Sequence, residues 1–247
     1  MADLNFSITP LALADALHNA VVLAQDTGGK PGCPHVLICY QDAPGVLPGT
    51  DGHTGAVIIY GASRIIAGKT TVILETIAPG DHASVAISRD HAEQIQSALR
   101  GYGRAKSTRV GVRISEEGYD TVDFDDDGEP IVRTVNFSIE KEGEAPLAEL
   151  ADSDPEGEYT KRFDMVDEFL VGSGGQLTGP TAFTFEAVKR VTNLKGLGAT
   201  ALDLAQTVHQ HVVAISAGPH FRGVLGEIDR AVYAGPDGAR ADHLLTN

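Results

Sequence analysis

The chain has 247 residues, 42% of them hydrophobic and 21% charged, with a net charge of -15. That composition describes a soluble globular protein, long enough for one large domain or two ordinary ones with cores of their own. No apolar run approaches the ~20 residues of a bilayer span, and MADLNFSITP lacks the basic and apolar regions of a secretory signal, so the expectation is a cytoplasmic protein with no membrane partner.

The charge is unevenly spread. Glu116–Glu168 holds 19 acidic and 4 basic residues, which is the entire excess; the remainder is neutral. Between His82 and Ile114 the sign reverses, with Arg89, Arg100, Arg104, Lys106, Arg109 and Arg113 against only Asp90 and Glu93. A protein acidic overall and basic on certain helices can still hold a phosphate backbone loosely.

In chain order, Leu4, Phe6 and Ile8 alternate as a short strand. Thr9 suits an N-cap and Pro10 a first helical position, after which Leu11, Ala14, Leu17, Val21 and Ala24 mark a helical face. The run Asp26–Gly32 ends that helix, and strands are predicted at His35–Tyr40, Ala56–Tyr60 and Thr70–Thr76. A second unit repeats the pattern. Val85 and Ile87 alternate, Ser88 caps, Asp90 and Glu93 occupy the first turn where the helix dipole favours them, and Ile95 and Leu99 define the buried side. Gly101 and Gly103 end the helix, with strands predicted at Val110–Ile114, Tyr119–Phe124 and Ile131–Ile139. KEGEAPLAELADSDPEGEY reads as an exposed acidic connector; KRFDMVDEFLV fits a short helix or an edge strand.

The third unit spans Thr181–Arg230. Phe183 and Phe185 alternate with Thr184 as the start of a strand, and Glu186–Lys195 switches to helical spacing with Val188, Val191 and Leu194 on one side. Gly196 and Gly198 stop the helix. Ala201–Leu204, His211–Ile215 and Phe221–Ile228 follow as strands, and Ala231–Asn247 is a polar tail. A short strand, a helix and then several strands thus recur three times.

Motifs for chemistry are weak. GASRIIAGKT matches a phosphate-binding loop only at its Gly-Lys-Thr end, and TVILET after it is strand-like where a helix is required. GYGRAK has Lys106 in place of the third glycine of a dinucleotide loop and follows a helix. DFDDDGEP begins like a calcium loop but places Thr134 where a bidentate Glu is needed, which leaves a solvated turn. His209 and His211 share a strand face without a third ligand. Cys33 and Cys39 read as reduced, mostly buried thiols. There is no Gly-x-Ser-x-Gly elbow and no paired carboxylates on a helical face, so the expectation is a non-enzyme without cofactor or metal.

The repeat resembles the DNA sliding clamps, the bacterial polymerase III beta subunit and proliferating cell nuclear antigen. FTFEAVKRVTNLK, ALDLAQ, HVVAISA and FRGVLGEIDR are similar to the last half-domain of the bacterial clamp. FSITPLALADALHNAVVLAQ is similar to its opening strand and helix, and ASVAISRDHAEQIQSALRG to the second half of its first domain. The resemblance implies an α+β fold of repeated units, with antiparallel sheets outside and helices lining one face. Residues 1–140 would form a first domain of two units (about 4–78 and 82–140). Residues 141–180 would be a connector or degenerate unit, 181–230 a C-terminal unit and 231–247 a tail.

The implied function is a polymerase processivity factor, a ring that encircles double-stranded DNA without reading its sequence and docks a polymerase and other replication proteins through short peptides. Carried over by position, Arg100, Arg104, Lys106, Arg109, Lys189, Arg190 and Lys195 would face phosphates. Val213, Ile215, Phe221, Val224 and Leu225 would form the peptide pocket. The first helix departs from the family in having no Lys or Arg. Two domains per chain would imply a trimeric ring; three half-domains would need about four chains, and a dimer is the third option. So reduced a clamp would suit a virus of a bacterium. The alternative from the residues is a non-enzymatic viral structural or scaffolding protein that self-assembles through sheet edges.

Overall fold

The computed structural model describes residues 3–26, 33–43, 54–74, 83–102, 109–117, 134–140, 148–153, 158–174, 176–177, 181–197, 201–209 and 212–226. The first unit is strand β1 (Asp3–Ile8), helix α1 (Pro10–Ala24) and strands β2 (His35–Ala43), β3 (Thr54–Ala62) and β4 (Ile66–Ile73). The second is β5 (Ala83–Ser88), α2 (Arg89–Arg100), β6 (Val110–Glu117), β7 (Thr134–Glu140) and β8 (Ala148–Ser153). A helix α3 (Glu158–Leu170) follows, then α4 (Phe185–Thr192) and strands β9 (Asp203–Gln206), β10 (Val212–Ala217) and β11 (Phe221–Gly226).

The two units exchange their first strands. β1 joins the second unit's strands in the order β1-β6-β7-β8, while β5 joins the first unit's in a seven-stranded sheet ordered β5-β2-β3-β4-β11-β10-β9. Apolar alternation sets both antiparallel registers: Phe6 and Ile8 lie opposite Val112 and Val110, and Val85 and Ile87 opposite Ile38 and Val36. Between the sheets α1 packs on α2, and the core gathers Leu13 and Leu17 of α1, Ile95 and Leu99 of α2, and the inward side chains of both sheets.

The helices start where their caps are. Ser88 Oγ accepts the His91 N–H at 3.1 Å, and Thr184 Oγ1 accepts the Ala187 N–H at 3.1 Å. Thr9 occupies the cap position of α1 without a side-chain bond, and Pro10 opens the helix. α1 is buried almost all round, wedged between α2 and strands β3 and β4.

The third unit joins the first at a seam between β4 and β11, where Gly68 lies opposite Gly223. Neither position has room for a side chain, because the Phe221 ring crosses both: a Cβ on Gly68 would sit 2.8 Å from that ring, and one on Gly223 2.6 Å from the Ala67 carbonyl oxygen. The Thr71 N–H donates to the His220 carbonyl at 2.8 Å and the Gly226 N–H to the Ile65 carbonyl at 3.0 Å, which closes both ends of the seam.

The structure decides some expectations and corrects others. KRFDMVDEFLV is helical, as part of α3, and residues 148–153 of the acidic connector form β8 in the second unit's sheet. α3 lies on the face of the seven-stranded sheet opposite α1. Val36, Ile38, Val57 and Ile59 face α1, whereas Leu37, Ile58, Tyr60 and Ala86 pack with Phe163 and Val166 of α3. α3 thus adds a helix on the face away from α1. Phe163 packs against Tyr60 with ring centroids 6.0 Å apart, Tyr60 Oη donates to Asp167 Oδ2 at 2.7 Å, and Lys69 Nζ binds Asp167 Oδ1. Burial and the Asp167 carboxylate push the Tyr60 phenol far above its ordinary pKa, so it stays a donor. Phe183 and Thr184 belong to no strand, and Phe185 opens α4. The GASRIIAGKT segment is a β3–β4 turn closed by Ser63 N–H donating to the Ile66 carbonyl at 2.8 Å, not a phosphate loop. Tyr119–Phe124, DFDDDGEP, Arg104, Lys106, His211 and the tail from 227 onward lie outside the described residues.

Truncating Phe163 to Ala should cost about 3–5 kcal/mol, as for a fully buried aromatic. Tyr60→Phe, which removes only a bond to half-exposed Asp167, should cost about 1 kcal/mol. Urea unfolding measures both, and equal small losses would show that α3 is not seated on the sheet.

Candidate nucleic-acid interface

The helical side of the molecule carries the candidate cations. Arg100, at the last turn of α2, is exposed, and Lys189 and Lys195 of the third unit are exposed as well. Arg100 and Lys195 converge on α1: both lie close enough to Asp15 and His18 to shift their titration. The segment after α4 is held there by Asn19, whose Oδ1 accepts the Lys195 N–H at 2.7 Å and whose Nδ2 donates to the Lys195 carbonyl at 3.0 Å and to Thr70 Oγ1 at 3.2 Å. His18 Nε2 donates to the Asn193 carbonyl at 3.1 Å. Gly196 makes the turn with φ +64°, close against Asp15. Arg109 is half-buried ahead of β6 and forms interactions of its own.

Asp15 sits half-buried between these cations. Desolvation raises its pKa, and Lys195, His18 and Arg100 oppose that rise. Desolvation lowers the pKa of His18, against its bond to Asn193, so His18 is neutral near pH 7 and adds no charge to the surface.

Arg190 is not on this surface. It is 3% exposed, and its guanidinium enters the C-terminal end of α1. Nη1 donates to the Leu23 carbonyl at 3.3 Å, the Gln25 carbonyl at 3.0 Å and Ser63 Oγ at 2.9 Å; Nη2 donates to the Asp26 carbonyl at 2.5 Å and Glu186 Oε1 at 2.6 Å. The carbonyls left over at a helix C-terminus attract a cation, and the forked guanidinium reaches several at once. The missed signal is Glu186 four residues earlier, with Ala187, Arg190 and Val191 at core spacing.

The five residues expected to form a peptide pocket are all buried. Ile215, Phe221 and Leu225 form the bed on which Ala187 of α4 packs, with Leu23 and Ile66. Val213 lies opposite Leu225 in the ladder, while Val224, next to Leu225 on its strand, points to the other face. The opening lies further out. An apolar groove of about 480 Å³ runs between α4 and the outer strands, lined by Phe183, Val188, Val191, Leu194, Leu202 and Leu204 among others, and of the five only Leu225 reaches it.

Among the described residues no group of three or more His, Cys, Asp and Glu could hold a metal, and no helix is long and apolar enough to cross a membrane. His209 packs edge-on against Phe169 at 4.7 Å. Cys33 and Cys39 are free thiols, and burial pushes Cys39 up to about 12.

No protein-family model matches the chain, and no curated protein matches it in sequence. Solved structures do match. The polymerase III beta sliding clamp of Pseudomonas aeruginosa superposes with a TM-score of 0.52 at 10% identity. The beta sliding clamp of C. crescentus gives 0.53 at 9%, and the polymerase III beta subunit of Thermotoga maritima 0.51 at 14%. Each match covers 92% of this chain and 65% of the other. The chain therefore has the α+β fold of the bacterial sliding clamps, in a length about two thirds of theirs.

Arg190→Ala should cost about 3–5 kcal/mol by stranding the groups it binds, and Arg190→Lys should recover less than half of that loss. Denaturant unfolding decides, and a neutral Arg190→Ala would place the guanidinium in solvent. Asp15→Asn should stabilise. A carboxyl whose folded pKa is raised binds more protons folded than unfolded between its two pKa values, so its ionisation above them favours unfolding. The gain should be at most about 2–4 °C in melting temperature at pH 7 and should shrink as pH falls through the carboxylate range.

Proposed function

We propose that this chain is the protomer of a DNA sliding clamp, a non-enzymatic ring that keeps a replication polymerase on duplex DNA. The observation that carries this reading is the clamp fold, matched over 92% of the chain, with Arg100, Lys189 and Lys195 exposed on and beside its helices. Asp90 and Glu93 are exposed on α2 as well, and α3 presents exposed Asp164 and Glu168 on the other face of the sheet. A ring so built offers a few cations, interspersed with carboxylates, to the phosphates inside. With few cations, some of them close to Asp15, contact is loose and independent of sequence, as sliding requires.

The neighbouring structures are clamps of DNA polymerase III, which favours duplex DNA and replication proteins as partners here. The apolar groove beside α4 replaces the predicted set as the candidate peptide site. Three units per chain among the described residues favour the four-chain arithmetic over the trimer.

The protein should stay on nicked circular plasmid through gel filtration and run off once the plasmid is linearised. Arg100→Glu with Lys195→Glu should flatten the slope of log affinity against log salt by about 1.8, two phosphate contacts' worth. Equal retention on both DNA forms, or an unchanged slope, would remove the reading.

A further inference from the structure

Asp15 is the one acidic residue of α1, which has no Lys or Arg, and nothing local accounts for it. It lies past the first turn, outside the stretch in which a helix dipole favours a carboxylate; Asp90, by contrast, stands in the first turn of α2. Asp15 is half-buried, yet among the described residues its carboxylate accepts no hydrogen bond and closes no ion pair. Burial raises its pKa, so holding it ionised weakens the fold. A group that costs stability and serves no local purpose points to a role outside folding.

Its surroundings supply that role. The Gly196 turn closes over the carboxylate, where a Cβ would sit 2.9 Å from Asp15 Oδ2. One turn further along α1, Asn19 binds the Lys195 N–H and carbonyl at 2.7 and 3.0 Å, which fixes Lys195 beside the same helical face. Asp15 and Lys195 line one cavity of about 370 Å³, with Thr9, Thr71 and His220 on its wall. On the other side Gln96 of α2 donates to the Ala14 carbonyl at 3.4 Å, and Arg100 follows one turn later on that helix. Both cations are exposed, and among the described residues neither closes an ion pair. They lie near enough for their charges to act on Asp15, and too far from it to be neutralised by contact.

We infer that Asp15 is a built-in competitor of phosphate, a carboxylate set between Lys195 and Arg100 that weakens the hold of this surface on a polyanion. Each cation keeps its exposed head for a passing phosphate, but in a potential already lowered by a fixed neighbour. Contact then forms and breaks readily, and no side chain has to unpair first. Because Asp15 is held by α1 and the Gly196 turn, the opposition does not swing away when the polyanion arrives. That the polyanion is duplex DNA rests on the clamp reading; the effect of Asp15 on Lys195 and Arg100 does not.

Salt elution from heparin and equilibrium binding to a fluorescent duplex test this on the full chain. Asp15→Asn should elute from heparin at higher salt and bind the duplex about 3- to 10-fold more tightly at low salt, the effect of one nearby charge at a wet surface. Asp164→Asn, the same change of charge on exposed α3, should leave both measurements nearly unchanged. In a chain carrying Lys195→Gln and Arg100→Gln, Asp15→Asn should do no more than Asp164→Asn does. Equal gains from the two Asp→Asn changes, a gain that survives loss of both cations, or no gain on heparin overturns the inference. So does a gain on heparin that is missing on a duplex the unaltered chain binds. If Asp15→Asn strengthens the hold on heparin while neither chain binds duplex, the role of Asp15 stands and the clamp reading falls.

Discussion

Each unit of this chain makes a helix and three strands that cover it, and in the first two units the segment ahead of the helix leaves that sheet. A unit alone would expose an unpaired strand and leave a ladder short, both of which invite association. β1 and β5 resolve this by crossing over, and the crossing forces α1 against α2 and creates the core between the sheets. Everything else is placed by that exchange: the direction α1 faces, the free outer edge of β4, and hence the seam on which β11 docks.

The seam is held by unlike means on its two sides. In the sheet it is apolar and tight, with Phe221 spanning two glycines. Among the helices it is polar: Asn19 and His18 hold the segment after α4, and Arg190 gathers the carbonyls at the end of α1. A buried guanidinium is tolerable only because the oxygens around it are themselves left over from a helix end or charged.

Caps and alternation made most of the first domain legible. Thr9-Pro10 and Ser88 mark α1 and α2 to the residue, and the strands after α4 start within two residues of their predicted starts. α3 escaped because its partner is remote in sequence, although a cue was present. Val36–Tyr40 and Val57–Tyr60 are apolar in both parities, as strands covered on both faces are. The site was read less well. Position in a repeat picked out Lys195 and Arg100, which are exposed, but could not tell Lys189, in solvent, from Arg190, in the core. Adjacent residues on a helix point about 100° apart, so one basic pair can serve two opposite purposes.

The knot around Arg190 has a mechanical meaning. A load pulling the third unit from the first domain must strip the β4–β11 ladder and the guanidinium's four bonds to Leu23, Gln25, Asp26 and Ser63 together, because both lie across the same joint. That joint is double-stitched. When the molecule is stretched it should give way elsewhere, and the rigid element it carries into any larger assembly is the first domain and the third unit moving as a single piece.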